Sequence, residues 1–217
     1  MEGWIFGVWL TLTIYISLTW LYQNNPQLLA ERFRQPGTGG QSQKDEILSY
    51  FLGVGMLLWL ILMCLDGKRF SWTSNSSTTI AITRLMPSSV SIRIYASIIK
   101  AIIGVVFMLT SSIFVFRAFA DNPYLSPLVR IQKEREHRVV TTGVYSIVRH
   151  PLYLGAVLML FGAPVFLGSA FVLPLSIVMT LVFAFRAVDE EHLLITALKG
   201  YPEYKKQVKY RLVPGVW

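Results

Sequence analysis

Residues 151–188, "PLYLGAVLMLFGAPVFLGSAFVLPLSIVMTLVFAFRAV", contain two apolar runs that are separated only by the tripeptide Gly168-Ser169-Ala170. Each run is close to the length that an α-helix needs to cross a bilayer. A helix satisfies its backbone hydrogen bonds internally, which the hydrocarbon core requires. The runs, about Pro151 to Leu167 and about Phe171 to Val188, therefore predict two antiparallel membrane spans joined by a tight turn.

Three further apolar runs precede this hairpin, at about Gly3 to Tyr22, Ile47 to Leu65 and Ile92 to Phe116. The first run has no basic segment before it and is too long for a signal peptide, so we expect a span there. Of the 217 residues, 53% are hydrophobic and only 15% are charged, which leaves too little polar surface for a soluble domain. The sequence predicts an all-α, multi-pass membrane protein of about five transmembrane helices, followed by a helical C-terminal tail.

The distribution of basic residues predicts the orientation of these spans. With five spans, residues 23–46, residues 117–149 and the C-terminal tail share one side of the membrane, and this side carries most of the 20 Lys and Arg residues. The positive-inside rule places that side in the cytoplasm. The net charge of +8 follows from this asymmetry. Because the basic residues flank spans, we expect them to contact anionic membrane lipids and expect no nucleic-acid partner.

A charged segment, "RIQKEREHRVVTTGVYSIVRHP" (130–151), leads into the fourth span. Pro151 suits the first position of a helix, which makes His150 the N-cap residue. The free N–H groups and the positive end of that helix favour anionic groups nearby. In a plainer interpretation, Arg149 only anchors to lipid headgroups and His150 only caps the helix.

A second polar cluster, "FAFRAVDEEHLL" (183–194), follows the fifth span. We expect the helix to continue to about Lys199, with Gly200 and Pro202 ending it. Arg186 and Glu190 are then one turn apart, and an exposed pair of this kind contributes only ~0.3–0.5 kcal/mol.

The tight turn places the start of the fourth span beside the end of the fifth. His150 and Tyr153 are therefore expected to meet Arg186, Glu190 and Glu191. Charges at the membrane boundary are costly unless partnered, so this arrangement suits a ligand that carries both charge signs. We expect no metal ion, because Glu190, Glu191 and His192 are consecutive and cannot converge on one ion from one helix. The small residues Gly155, Ala156, Gly162 and Ala163 give the fourth span a face for close packing.

These residues also resemble a known family. "RHPLYLG" (149–155), followed by "DEE" (189–191), resembles the signature of the isoprenylcysteine carboxyl methyltransferases, which are grouped with the membrane phospholipid methyltransferases. "HRVVTTGVY" (137–145) and "GYPEYKKQVKYRLVPG" (200–215) are similar to the same family. The resemblance implies one integral-membrane domain, residues 1–217. Within it, residues 1–120 carry spans 1–3, and residues 121–217 form a methyltransferase core that binds S-adenosylmethionine and releases S-adenosylhomocysteine.

The resemblance also implies roles for individual residues. Arg186 and Glu190 are the expected catalytic residues, and Arg186 is expected to face the acceptor. Glu190 and Glu191 can accept hydrogen bonds from the cofactor ammonium, and His150 can satisfy its carboxylate. The expected cofactor-binding residues are Gln132, His137, Arg138, Val139, Val140, Tyr145, His150, Pro151, Leu152, Tyr153, Glu190 and Glu191.

The expected acceptor is a lipid or lipidated molecule that enters from the bilayer, most specifically an isoprenylcysteine-type C-terminal carboxylate, at an active site on the cytoplasmic side. Two alternatives within the superfamily are a phospholipid amine and a thiol. An alternative from another class is a small transporter or scaffold whose cytoplasmic charges bind lipid or a partner.

Overall fold

The computed structural model describes residues 2–35, 42–66 and 90–217. Most of these residues are helical, and three short 3₁₀ turns lie at 133–135, 143–146 and 170–172. The basic residues Lys68, Arg69 and Arg84, which enter the predicted orientation, lie outside the described ranges. The α-helices of the described ranges are α1 (Glu2–Asn24), α2 (Pro26–Arg32), α3 (Gln43–Leu65), α4 (Val90–Asp121), α5 (Pro151–Leu167), α6 (Leu173–Ala197) and α7 (Tyr201–Gln207).

Four segments are long and apolar enough to cross a membrane: Glu2–Asn24, Gln43–Leu65, Ile94–Asp121 and Ala170–Ala197. The fourth predicted span, α5, has 17 residues. At a rise of about 1.5 Å per residue it is about 26 Å long, which is near the thickness of the hydrocarbon core. The predicted all-α, multi-pass membrane fold is confirmed.

α5 and α6 form the predicted hairpin. Gly168 ends α5 in the left-handed conformation, with φ 72°, and a 3₁₀ turn leads directly into α6. At this end of the bundle, Ser169 Oγ donates a hydrogen bond of 2.6 Å to Asp66, which follows α3. At the opposite end, Tyr153 Oη is 2.8 Å from Glu190 Oε2. The start of α5 therefore lies beside the end of α6, as the short connection predicts.

Hydrogen bonds between small polar side chains join the helices inside the bundle. Trp59 of α3 donates from Nε1 to Ser176 Oγ of α6 at 2.8 Å, and Ser176 Oγ donates to Leu160 O of α5 at 2.8 Å. Ser111 of α4 donates to Gly155 O of α5 at 2.7 Å. Such contacts hold helices together where lipid provides no hydrophobic drive between them.

The glycines of α5 permit a close approach to α4. A Cβ atom placed on Gly162 would lie 2.7 Å from Phe107 Cβ and 3.2 Å from Met108 N. Both distances are shorter than an ordinary van der Waals contact, and a backbone atom cannot rotate out of the way. The small-residue face of α5 therefore packs against α4.

We expect Gly162→Ala to destabilise the bundle by about 1–3 kcal/mol, the usual cost of overpacking a tight interface. The matched control is Gly53→Ala in α3, where nothing lies within 4 Å of the added Cβ atom. That variant should unfold at or above the temperature of the wild type, because alanine favours a helix more than glycine does. The thermal midpoint of unfolding in detergent measures both effects. Equal midpoints for the two variants would contradict the close approach.

Candidate active site

A cleft lies at the end of the bundle where α5 begins and α6 ends, with a volume of about 810 Å³ including its open mouth. Three parts of the chain line it: the segment after α4, the segment that leads into α5, and the stretch from the end of α6 into α7. Helix ends from distant parts of the sequence thus surround one concave surface.

Glu190 is the one acidic side chain in the described lining of this cleft. Its Oε2 accepts a hydrogen bond from Tyr153 Oη at 2.8 Å and lies 3.6 Å from His150 Nδ1. The rings of His150 and Tyr153 stack with centroids 5.4 Å apart. Since 27% of the Glu190 side chain is exposed, its carboxylate can still accept hydrogen bonds from a cationic ligand.

The pKa values of the two histidines of the lining shift in opposite directions. Burial disfavours the charged form of His150, but the neighbouring carboxylates of Glu190 and Glu191 outweigh burial and raise its pKa. Burial lowers the pKa of His137 to about 4, so its ring is neutral at pH 7. The neutral ring stacks on Tyr124 with centroids 4.6 Å apart. The surroundings thus favour the charged form of His150 and the neutral form of His137.

Glu191 is buried behind the cleft wall rather than in the lining, although it follows Glu190 directly. Its carboxylate lies 2.6 Å from Arg149 Nε, 3.1 Å from Arg211 Nε and 3.4 Å from His150 Nε2. The residue is 1% exposed. Glu191 therefore neutralises a cluster of cations that joins α5, α6 and the C-terminal tail.

Arg149 fastens the tail to the start of α5. Its Nη1 donates to Val208 O at 2.6 Å and to Lys209 O at 2.7 Å. Its backbone N–H donates to Tyr210 O at 3.0 Å, and that of His150 donates to Arg211 O at 2.9 Å. Arg149 is buried, so the plainer interpretation of this residue as a headgroup anchor is wrong.

The segment of residues 122–130, which we call the cleft loop, is held by two carboxylates from the N-terminal half. Glu31 of α2 accepts from Ser126 Oγ and from Arg130 Nε, each at 2.9 Å. Asp45 at the start of α3 accepts from the backbone N–H of Val129 at 3.0 Å. One wall of the cleft therefore depends on residues more than eighty positions earlier in the chain.

Arg186 contributes to the same attachment. Its Nε lies 2.8 Å from Asp45 Oδ1, and its Nη2 donates to Pro127 O in the cleft loop. Arg186 is buried and lies outside the described lining of the cleft. The structure thus pairs Arg186 with Asp45, whereas its predicted contact with the acceptor stays a prediction.

Most of the predicted cofactor residues come together in this cleft. The exceptions are Gln132 and Glu191. Gln132 is buried, where its Nε2 donates to Tyr124 O at 2.6 Å and its Oε1 accepts from Arg135 at 2.9 Å. The cofactor contacts of all these residues stay predictions. Those that line the cleft are His137, Arg138, Val139, Val140, Tyr145, His150, Pro151, Leu152, Tyr153 and Glu190.

Sequence reasoning missed two parts of the lining. Tyr201 and Tyr204 of α7 face the cleft, and Tyr204 Oη donates to Tyr145 O at 2.7 Å. Their signal was the "GYPEY" stretch, in which Gly200 has φ 88° and starts a helix that carries two aromatic residues. The cleft loop had no such signal, because its position is set by Glu31 and Asp45.

A double-mutant cycle on Asp45 and Arg186 tests the attachment of the cleft loop. We expect a coupling free energy of about 1–3 kcal/mol in unfolding, as for buried contacting groups. The matched control is the adjacent pair Lys44 and Asp189, whose charged atoms are 2.6 Å apart and whose side chains are 68% and 33% exposed. That pair should couple by less than about 1 kcal/mol. Similar coupling free energies in both cycles would show that the buried pair stabilises the fold no more than the control pair does.

Comparison with known proteins agrees with this geometry. Residues 99–198 match the family described as phospholipid methyltransferase. The chain is 36% identical over 83 residues to protein-S-isoprenylcysteine O-methyltransferase B of Arabidopsis thaliana, which covers 37% of this chain and 42% of that protein. It is 33% identical over 85 residues to protein-S-isoprenylcysteine O-methyltransferase of Schizosaccharomyces pombe, covering 38% of this chain and 36% of that protein.

A relative that is named for a different activity also matches. The chain is 30% identical over 105 residues to a delta(14)-sterol reductase of Mus musculus, covering 47% of this chain and 25% of that protein. The matched segments span less than half the length of each of these three relatives. No solved structure matches the chain significantly. Residues 99–198 therefore resemble the phospholipid methyltransferase family, and the resemblance of the chain to the isoprenylcysteine carboxyl methyltransferases is confirmed.

Proposed function

We propose that this protein is an integral-membrane methyltransferase that moves a methyl group from S-adenosylmethionine to the C-terminal carboxylate of an isoprenylcysteine-type acceptor. The observation that carries the proposal is a single cleft in which the residues of the family signature meet, with one carboxylate among cationic and aromatic side chains. The names of the plant and yeast relatives support the choice of acceptor.

The side chains of the cleft fit the chemistry of this cofactor. S-adenosylmethionine carries a sulfonium, an ammonium and a carboxylate beside a flat adenine base. Glu190 can accept from the ammonium, and Arg138 together with His150 can receive the carboxylate. The apolar and aromatic part of the lining, which includes Val139 and Tyr201, suits the base. We propose that the predicted residues that line the cleft hold the cofactor, and that Gln132 and Glu191 hold the walls of the cleft in place.

The reaction itself needs little from the protein beyond orientation and the exclusion of water. The cofactor supplies an electrophilic methyl group on sulfur. A carboxylate oxygen donates an electron pair to that carbon, the C–S bond breaks, and sulfur keeps its pair, so a cation and an anion become a neutral thioether and a neutral ester. A carboxylate is already ionised at pH 7, so no general base is required. We propose that Arg186 acts here as a positioning residue, by holding the cleft loop against Asp45 and Pro127.

We also propose that the cleft faces the cytoplasm and that the acceptor reaches it laterally from the bilayer. The excess of Lys and Arg on the side of residues 23–46, 117–149 and the tail supports this orientation. The ends of α4 and α6 come together with the starts of α3 and α5 through the contacts of Asp121, Asp45 and Glu190, as expected for helix ends on one side of a membrane. A lipidated acceptor then keeps its apolar chain in the membrane while its polar end enters the cleft.

The test incubates the purified protein in vesicles with radiolabelled S-adenosylmethionine and three acceptors: an N-acetylated S-farnesylcysteine, a phosphatidylethanolamine and an alkyl thiol. We expect label in a product that base releases as methanol, which is the behaviour of a methyl ester. Base-stable label in the phospholipid would replace the carboxylate with an amine acceptor, and label in a thioether would replace it with a thiol.

Ligand binding separates the proposal from the other classes. A methyltransferase should bind S-adenosylhomocysteine saturably. Because one relative is a sterol reductase, and a reductase requires a hydride donor, the second ligand to test is reduced nicotinamide adenine dinucleotide phosphate. Binding of the nicotinamide cofactor alone would overturn the proposal in favour of a reductase. Binding of neither ligand would favour a transporter or scaffold.

A further inference from the structure

Arg32 is a cation near the cleft that forms no ion pair with the residues that the structure describes. It is the last residue of α2, a seven-residue helix that Asn25 caps by accepting from Leu28 N at 3.0 Å. Leu28 is fully buried and packs in a cluster with Leu21 and Phe119. The capped and packed helix therefore holds Arg32 in a fixed position beside α4.

Three neighbouring arginines have carboxylate partners. Arg34 and Arg130 are paired with Glu31 at 3.1 Å and 2.9 Å, and Arg186 is paired with Asp45 at 2.8 Å. In the described part of the chain, no ion pair involves Arg32. Its Nη1 atom is buried and has no hydrogen-bond partner there. Its guanidinium carbon lies 4.9 Å from the centroid of the Phe119 ring.

Arg32 lies outside the described lining of the cleft but next to it, because Phe119, on which its guanidinium lies, packs in one cluster with Leu125 and Leu152 of the lining. Burial lowers its pKa, and Tyr153, Arg186 and Tyr145 are close enough to influence it, without a carboxylate to offset the burial. Tyr153 and Tyr145 line the cleft. A buried guanidinium with an unsatisfied N–H group is costly. Of the arginines of α2 and the cleft loop, only Arg32 carries this energetic cost, and it lies near the cleft wall that Tyr153 forms.

We propose that Arg32 binds the carboxylate of the methyl acceptor. This inference rests on the proposed function, and it assigns the substrate contact that sequence reasoning gave to Arg186. A guanidinium that lies on an aromatic ring keeps its edge free for a carboxylate, which it binds through two parallel N–H donors. The ester product has lost the negative charge, so the same contact favours substrate over product and assists release.

The test compares Arg32→Gln and Arg32→Lys with the wild-type protein in vesicles, using an N-acetylated S-farnesylcysteine and its uncharged carboxamide. For Arg32→Gln we expect the KM of the carboxylate acceptor to rise at least about tenfold, while inhibition by the carboxamide and binding of S-adenosylhomocysteine stay unchanged. Arg32→Lys should recover part of the loss, because the charge is kept. The matched control is Arg34→Gln, two residues away on an exposed and already paired side chain, which should leave the KM unchanged.

The possible results are separable. Equal loss for the carboxylate and the carboxamide would overturn the inference, because it would mean a structural role. A loss that occurs in vesicles with anionic lipid but not in phosphatidylcholine vesicles would also overturn it and assign Arg32 to lipid phosphate. An unchanged KM in Arg32→Gln refutes the inference while the proposed function stands. Absence of methylation by the wild-type protein, by contrast, refutes the proposed function itself.

Discussion

Glu191→Gln is expected to destabilise the protein by about 3–5 kcal/mol, the usual cost of breaking a buried ion pair from one side. The carboxylate of Glu191 lies within 4 Å of charged atoms on Arg149, Arg211, His150 and Lys205. Its neutral replacement leaves these cations together without a counter-ion. Because Arg149 also holds the backbone of the tail, we expect the tail to detach and the cleft to open.

The measurement is the thermal midpoint in detergent together with protease cleavage after Lys205, Lys206 and Lys209. The wild-type tail should resist cleavage, and the Glu191→Gln tail should be cut. Glu203→Gln on α7 is the matched control, since Glu203 is exposed and forms no ion pair in the described part of the chain. A stable Glu191→Gln protein with a protected tail would show that Glu191 does not hold this cluster together.

Glu190→Gln is expected to weaken binding of S-adenosylhomocysteine by about 10- to 100-fold without unfolding the protein. The amide keeps the size of the side chain and still accepts from Tyr153, but it loses the negative charge that faces a cationic ammonium. A hydrogen bond to a charged group contributes about 1.5–3 kcal/mol, which corresponds to this range. The loss in methyl transfer should be at least as large.

Calorimetric titration with S-adenosylhomocysteine gives the affinity, and the thermal midpoint without ligand reports folding. Asp189→Asn is the matched control, because Asp189 precedes Glu190 but pairs with Lys44 on the surface. It should bind the ligand as the wild type does. If Glu190→Gln bound normally and Asp189→Asn did not, the assignment of the ammonium to Glu190 would be wrong.

Glu190 and Glu191 illustrate what the sequence could and could not predict. The motif identified both carboxylates, and the short turn predicted that they meet His150. Successive residues of an α-helix point about 100° apart, so one carboxylate faces the cleft and the other faces the cations behind it. The prediction of two cofactor ligands treated these positions as equivalent. Only the packing of the tail against α5 distinguishes them.

The local features were predictable because neighbouring residues determine them. Pro151 fixes the first turn of α5, His150 takes the N-cap position, and Gly200 separates α6 from α7. The cleft loop was not predictable, since its two attachments, Glu31 and Asp45, are acidic residues in otherwise generic helix ends. The role proposed for Arg32 was not predictable either, because no local sequence pattern distinguishes Arg32 from Arg34.

The attachment of the cleft loop to Glu31 and Asp45 also means that the segment that matches the family model cannot form the cleft by itself. Residues 99–198, the stretch shared with the matched family, omit both carboxylates as well as Tyr201 and Tyr204. Grafting that stretch onto other spans would transfer the signature residues without Glu31 and Asp45, which hold the cleft loop in place.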